Sequence, residues 1–300
     1  MKSIVKFRGL YLLMIPGLLY YLIYKYLPMF GIIIAFKDVS PFLGIDKMLT
    51  APWVGLKHFK IFISSPYFFQ LLRNTLLISV YGLLFGFPAT IILALLLNEV
   101  RNGPFKKAVQ TISYMPHFVS NVVIAGLLIS FLSPSNGVVN RIIERFGGES
   151  IYFLGDPKYF RSILVGSDIW QNIGWGTIIY LAAMSGIDPQ LYEAAHMEGA
   201  NRFQRAWYIT LPSIASLISL LLVLRVGKML NVGFEKILLL YSPAVYEVGD
   251  VIDTFVYRSG IKNAKFSYST AVGLFKSVIA MILIAVSDFT AKRMGQTGIF

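Results

Sequence analysis

The chain has 300 residues, 56% of them apolar and 14% charged, with a mean hydropathy of +0.66. A soluble domain carries about a quarter of its residues as charges, so this composition belongs to an integral membrane protein. The net charge of +12 comes from Lys and Arg placed between apolar runs rather than in one stripe, which excludes a nucleic-acid partner. No cysteine is present, which removes disulfides and thiolate metal sites, and His58, His117 and His196 are too scattered to hold a metal.

Six apolar segments are long enough to cross a bilayer, which needs about 20 residues of helix. The first, from about Leu10 to Phe36, follows Lys2, Lys6 and Arg8 and is interrupted by Lys25 and Pro28. It is too long for a signal peptide and lacks a small-residue cleavage site, so it reads as a retained anchor. The second covers about Leu71–Leu97, with Gly82 and Gly86 as a small-residue pair suited to close packing. The third runs from about Val109 to Leu132; His117 beside Pro116 is assigned no role. The fourth, about Ser162–Ser185, holds Asp168, Gln171, Asn172 and Trp175. The fifth, about Ile209–Leu230, holds Arg225 and Lys228, and the sixth, about Thr270–Thr290, holds Lys276. The expected fold is all-α, with residues 1–9 as a cytoplasmic N-terminus and residues 10–300 as one transmembrane domain.

Six spans put both termini on one side. The segments 1–9, 98–108, 186–208 and 291–300 carry ten Lys and Arg, against twelve in the longer loops 37–70, 133–161 and 231–269. Counting alone does not orient the chain, but the density in the short segments favours a cytoplasmic N-terminus. The long loops, such as residues 40–62, are rich in turn formers and aromatics and are expected to fold into a docking surface.

Residues 193–212, EAAHMEGANRFQRAWYITLP, place charge between apolar runs. Asp188 and Pro189 are a favoured N-cap and first helical residue. Gly199 is a plausible terminator, and a second helical stretch is expected from about Asn201 toward Pro212. Both pieces are too short to span a membrane. Phe203 and Trp207, four residues apart, share a face that suits a pocket on a partner. An amphipathic loop lying on lipid headgroups is the competing reading.

The order and spacing of Glu193, Ala194, Ala195, Gly199, Ile209, Leu211 and Pro212 resemble the EAA loop of permease subunits in binding-protein-dependent ABC importers. Ala200, Gln204, Trp207 and Thr210 agree with the carbohydrate branch. Glu198 stands where that family usually has aspartate, and Ala206 replaces a common phenylalanine. The stretches YLPMFGIIIAFKDVSPFLGI, WVGLKHF, LLRNTLLISVYGLLFGFPATIILALLLNEV and QTISYMPHF extend the resemblance over roughly residues 10–290. They are similar to the polysaccharide or complex-oligosaccharide (LplB-like) subfamily.

The resemblance implies a type I permease fold in a bacterial cell membrane, with the loop 186–212 between the fourth and fifth spans. It implies a second homologous permease, a separate ATPase dimer and an extracytoplasmic sugar-binding protein, with an oligosaccharide as substrate and lipid around the chain. Glu193, Ala194, Ala195, Glu198, Gly199, Phe203 and Trp207 would form the coupling surface, with Glu193 paired to a basic residue of the ATPase. No phosphate-binding loop is present, so no cofactor is expected on this chain, and ATP and Mg would sit on the partner.

Polar residues within spans mark pathways. Asn121, Gln171, Asn172, Trp175, Tyr180, Arg225, Asn231 and Lys276 are the candidates for lining one, and Arg225 with Lys276 would suit an acidic sugar. Each has an alternative role in helix–helix hydrogen bonding or snorkelling. An ion-driven secondary transporter is the rival, but it calls for an inverted repeat and paired intramembrane acids, whereas Asp168 is the one acid well inside a span. A membrane enzyme is disfavoured because no nucleophile–base or metal grouping occurs at usable spacing.

Overall fold

A computed structural model describes residues 7–39, 50–101 and 103–293. Parts of the expected N-terminal segment 1–9, the loop 40–62 and the carboxyl-terminal segment 291–300 lie outside them. The described residues fall into two compact units, one within Met1–Phe68 and Phe255–Lys276, the other within Phe69–Thr254 and Ser277–Phe300. Apart from an isolated bridge between Lys37 and Trp53, the regular structure among the described residues is helical.

In the first unit, α1 spans Arg8–Phe36 and α2 spans Lys57–Ile63. The N-terminal turns of α1, Arg8–Tyr21, bury no side chain, so the helix is apolar all round, as a lipid-facing helix is. At its end, the Val54 amide donates to the Phe36 carbonyl at 2.8 Å, and the Phe36 and Trp53 rings stack at 5.7 Å. The Lys57 ammonium donates to Asp38 Oδ2 at 2.8 Å and holds that carboxyl below its ordinary range. Phe62 is fully buried, with the rings of Phe68, Phe255, Tyr268 and Phe275 around it.

The second unit begins in α3, Phe68–Glu99. Next come α4, Pro104–Phe118, α5, Asn121–Phe131, and α6, Val138–Arg145. Helix α7, Pro157–Met184, is followed by α8, Pro189–Met197, α9, Arg202–Ser213, and α10, Ala215–Gly227. The unit continues with α11, Phe234–Leu240, while α12, Ile252–Tyr257, and α13, Phe266–Arg293, run on across both units.

Helix α7 is the centre of the second unit and packs along α3 and α4. Two glycines allow this. A Cβ on Gly174 would lie 2.0 Å from the Ser113 carbonyl oxygen on α4, and one on Gly176 would lie 2.7 Å from Thr90 Cγ2 on α3. Asn74 is fully buried near the start of α3. Its amide donates to the carbonyls of Glu247 (3.0 Å) and Asp250 (2.9 Å), while its oxygen accepts from Arg161 at 2.7 Å. That network closes the loop after α11 onto α3 and α7 and leaves the buried amide satisfied. The loop before α7 is folded as well: Asn140 bridges Ser133 and Ile151 through both ends of its amide.

Two expected spans are bent in the structure. The third segment is not straight: α4 and α5 meet at 101°. Pro116 lies in the last turn of α4, and Ser120 then caps α5, its hydroxyl accepting from the Val123 amide. The fifth segment is likewise bent, by 66° between α9 and α10 at Ile214, just past Pro212, where a ring cannot continue the hydrogen-bond ladder. Helices α1, α3 and α13 are long and apolar enough to cross a membrane on their own, and each bent pair qualifies when taken together. Helix α7, at 28 residues, is about 42 Å long. Asp168, Gln171 and Asn172 make it less apolar than the others.

Candidate functional site

The loop between α7 and α10 is built by local rules. The Asp188 side chain accepts from the Gln190 amide at 2.9 Å, and Pro189 opens α8 where no backbone N–H is required. Helix α8 ends in a Schellman turn. The Ala200 amide donates to the Ala195 carbonyl, and the Gly199 amide donates to the His196 carbonyl. Gly199 has φ +81°, so glycine is required there by backbone conformation, although a Cβ would meet nothing within 4 Å. Asn201 and Gln204 then form a reciprocal capping box that starts α9.

This geometry leaves one surface outward. Glu193, Ala194, Glu198 and Gly199 are exposed, and Ala195 is half-buried. Phe203 and Trp207 stack at 6.1 Å, with their planes 15° apart, while remaining 74% and 57% exposed. A stacked aromatic pair is thus left exposed beside small residues.

The second feature is a pair of adjoining cavities of about 330 and 320 Å³ along α7. Asp168, Arg225 and Lys228 line both. Asn231 and Lys236 belong to the first cavity, and Asn172 and Tyr180 to the second. Lys236 on α11 is buried, with its ammonium 3.5 Å from Asp168 Oδ1 and without a hydrogen-bond partner among the described residues. Burial pushes that ammonium below its ordinary range, and the carboxylate offsets this only in part.

The structure therefore brings Asn172, Tyr180, Arg225 and Asn231 together around the cavities and gives Gln171, Asn121 and Trp175 other partners. Gln171 is buried, and its amide is engaged by the Val119 carbonyl at 3.2 Å, where the break after α4 frees that carbonyl. Asn121 donates to Glu235 at 2.7 Å. Trp175 lines neither cavity; it stacks on His117 at 4.6 Å and 4°. Lys276 lies on α13 in the other unit.

The sequence candidates left out Asp168, Lys228 and Lys236, which line the cavities, and His117 beside Asn172. His117 contacts both Trp175 and, at 3.0 Å, Asn172, whose amide also reaches Asp168 at 3.1 Å. Lys236 lay in a segment read as an outside loop, and no local signal marked it. Asp168 was visible as an acid within a span, which by itself points to a pathway.

Comparison with known proteins follows from this geometry. Residues 86–296 match the family described as binding-protein-dependent transport system inner membrane component. Protein LplB of Bacillus subtilis (strain 168) is 50% identical over 300 residues, covering 100% of this chain and 93% of the relative. The polygalacturonan/rhamnogalacturonan transport system permease protein YteP of the same organism is 48% identical over 298 residues, covering 99% and 92%. Among solved structures, a chain from the crystal structure of a bacterial alginate ABC transporter, in complex with an alginate pentasaccharide-bound periplasmic protein, superposes with a TM-score of 0.91. Its identity is 43%, with 99% of each chain covered.

Proposed function

The chain belongs to the binding-protein-dependent transport system inner membrane component family, and from that premise we propose that it is the permease half of an ATP-driven oligosaccharide importer. Residues 10–300 form one membrane domain of six spans: α1, α3, the α4–α5 pair, α7, the α9–α10 pair and α13. Both termini face the cytoplasm. A second, homologous permease completes the pathway, and an extracytoplasmic sugar-binding protein delivers the substrate.

The observation that carries this reading is the outward surface of α8 and α9. Its exposed Glu193, small Ala194, Ala195 and Gly199, and stacked Phe203–Trp207 pair suit a groove on a separate ATPase dimer that holds ATP and Mg. The test is purification of the tagged full-length chain from its native host in mild detergent. A second permease and an ATPase should copurify; a chain that comes down alone in several detergents would point instead to a loop that rests on lipid.

A more specific substrate is favoured by the cavities. Arg225, Lys228 and Lys236 outnumber Asp168 around them, which suits an oligosaccharide bearing carboxylates. The names of YteP and of the alginate transporter point to the same chemistry. Replacing Arg225 and Lys228 together by glutamine should slow uptake of an oligogalacturonate by roughly tenfold, the effect of losing one charge-assisted contact. Its fully methyl-esterified form should be much less affected. Equal slowing of both compounds would count against a charge-reading role.

A further inference from the structure

Helices α8 and α9 meet at the left-handed Gly199, a joint with no side chain to stiffen it. Movement imposed on α8 would be absorbed there unless something else tied the two helices together. Besides the Schellman bond from the Ala200 amide to the Ala195 carbonyl, a side-chain tie crosses the joint: the Tyr192 hydroxyl on α8 lies 2.9 Å from Thr210 Oγ1 on α9. Thr210 is 1% exposed and closes a π turn, Ala206–Thr210, just ahead of the 66° bend into α10. Its hydroxyl also lies 3.4 Å from the Arg205 carbonyl, and either hydroxyl of the Tyr192–Thr210 pair can be the donor. Successive helical residues point about 100° apart, so Tyr192 turns inward to α9 while its neighbour Glu193 stays exposed. Widened π turns are common where a helix does functional work.

We propose that Tyr192 and Thr210 form a strut across the Gly199 joint, making α8 and the foot of α10 move as one body. Tyr192 is then a positioning residue: it carries displacement of the docked surface into the bent span without itself touching the ATPase. The inference rests on the coupling role proposed above.

The test uses the whole assembly purified from the native host and reconstituted in lipid nanodiscs. Hydrogen–deuterium exchange is compared without nucleotide and with MgATP plus vanadate. In the wild type, segments 189–200 and 215–227 should both change between the two states. In Tyr192→Phe and in Thr210→Val, segment 189–200 should still change, whereas the change at 215–227 should shrink roughly fivefold, the factor one ordinary hydrogen bond supplies. Thr210→Ser keeps the hydroxyl and should behave as wild type, and the double variant should be no worse than either single one. An undiminished response at 215–227 in both Tyr192→Phe and Thr210→Val would overturn the strut alone. A wild-type preparation lacking any ATPase would overturn the coupling role itself, and the strut with it.

Discussion

Glu193→Lys should leave the protein inserted and monodisperse in detergent while reducing ATP-driven uptake by more than roughly tenfold, because a reversed charge at a docking surface costs several kcal/mol against a basic partner. Glu193 is exposed on α8. Its replacement therefore breaks no buried contact, and its cost to folding stays within about 0.5 kcal/mol. The two effects separate cleanly for that reason. Uptake and ATP hydrolysis are measured on the same reconstituted assembly, with Glu193→Gln as the control that removes charge without reversing it. Glutamine should fall between the two, since it loses attraction without adding repulsion. Wild-type uptake by the lysine variant would remove Glu193 from the coupling surface.

The second large effect belongs to the core of the second unit. Gly174→Val should prevent α7 from seating on α4, lowering the yield of monodisperse protein severalfold. Glycine inside a helix ordinarily costs about 1 kcal/mol relative to alanine, so on propensity alone Gly174→Ala would be stabilising. Contact reverses the sign. The added Cβ would lie 2.0 Å from the Ser113 carbonyl oxygen and 2.8 Å from Ser113 Cβ, and a backbone oxygen in a helix cannot rotate away. The two helices must separate, at an overpacking cost of about 3 kcal/mol or more. Gly176 is the internal comparison, because its nearest neighbour, at 2.7 Å, is the Thr90 Cγ2 methyl. A side-chain methyl has more freedom to yield, so Gly176→Ala should be tolerated better than Gly174→Ala. Detergent-solubilised thermal unfolding, followed by size-exclusion profile, distinguishes them; equal midpoints would contradict the backbone-contact account.

Fold class and membrane character were legible because they depend on composition and run length. The ends of α8 and the start of α9 were legible for a related reason. Asp188, Pro189, Gly199 and Asn201 act on backbone groups within a few residues of themselves, and capping chemistry is local. The expected helix at 189–197 and the glycine joint after it follow from those residues before any packing is considered.

The bends were half visible. Pro116 and Pro212 were plain in the sequence, yet prolines are tolerated in membrane helices when neighbours satisfy the freed carbonyls. Whether a segment kinks or breaks there depends on what surrounds it: Gln171, 52 residues from Val119, takes up one such carbonyl. The polar candidates divide in the same way. Asn172, Tyr180, Arg225 and Asn231 meet around two cavities, while Gln171 is occupied by the carbonyl in the α4–α5 break and Asn121 by Glu235 on α11.

Composition, run lengths and helix caps were thus determined by the sequence itself, since each is set by neighbours along the chain. The pairing of Lys236 with Asp168, of His117 with Asn172, and of Tyr192 with Thr210 was decided only by tertiary structure. Those partners are brought within reach by the helices that carry them, and nothing in the intervening residues specifies the match.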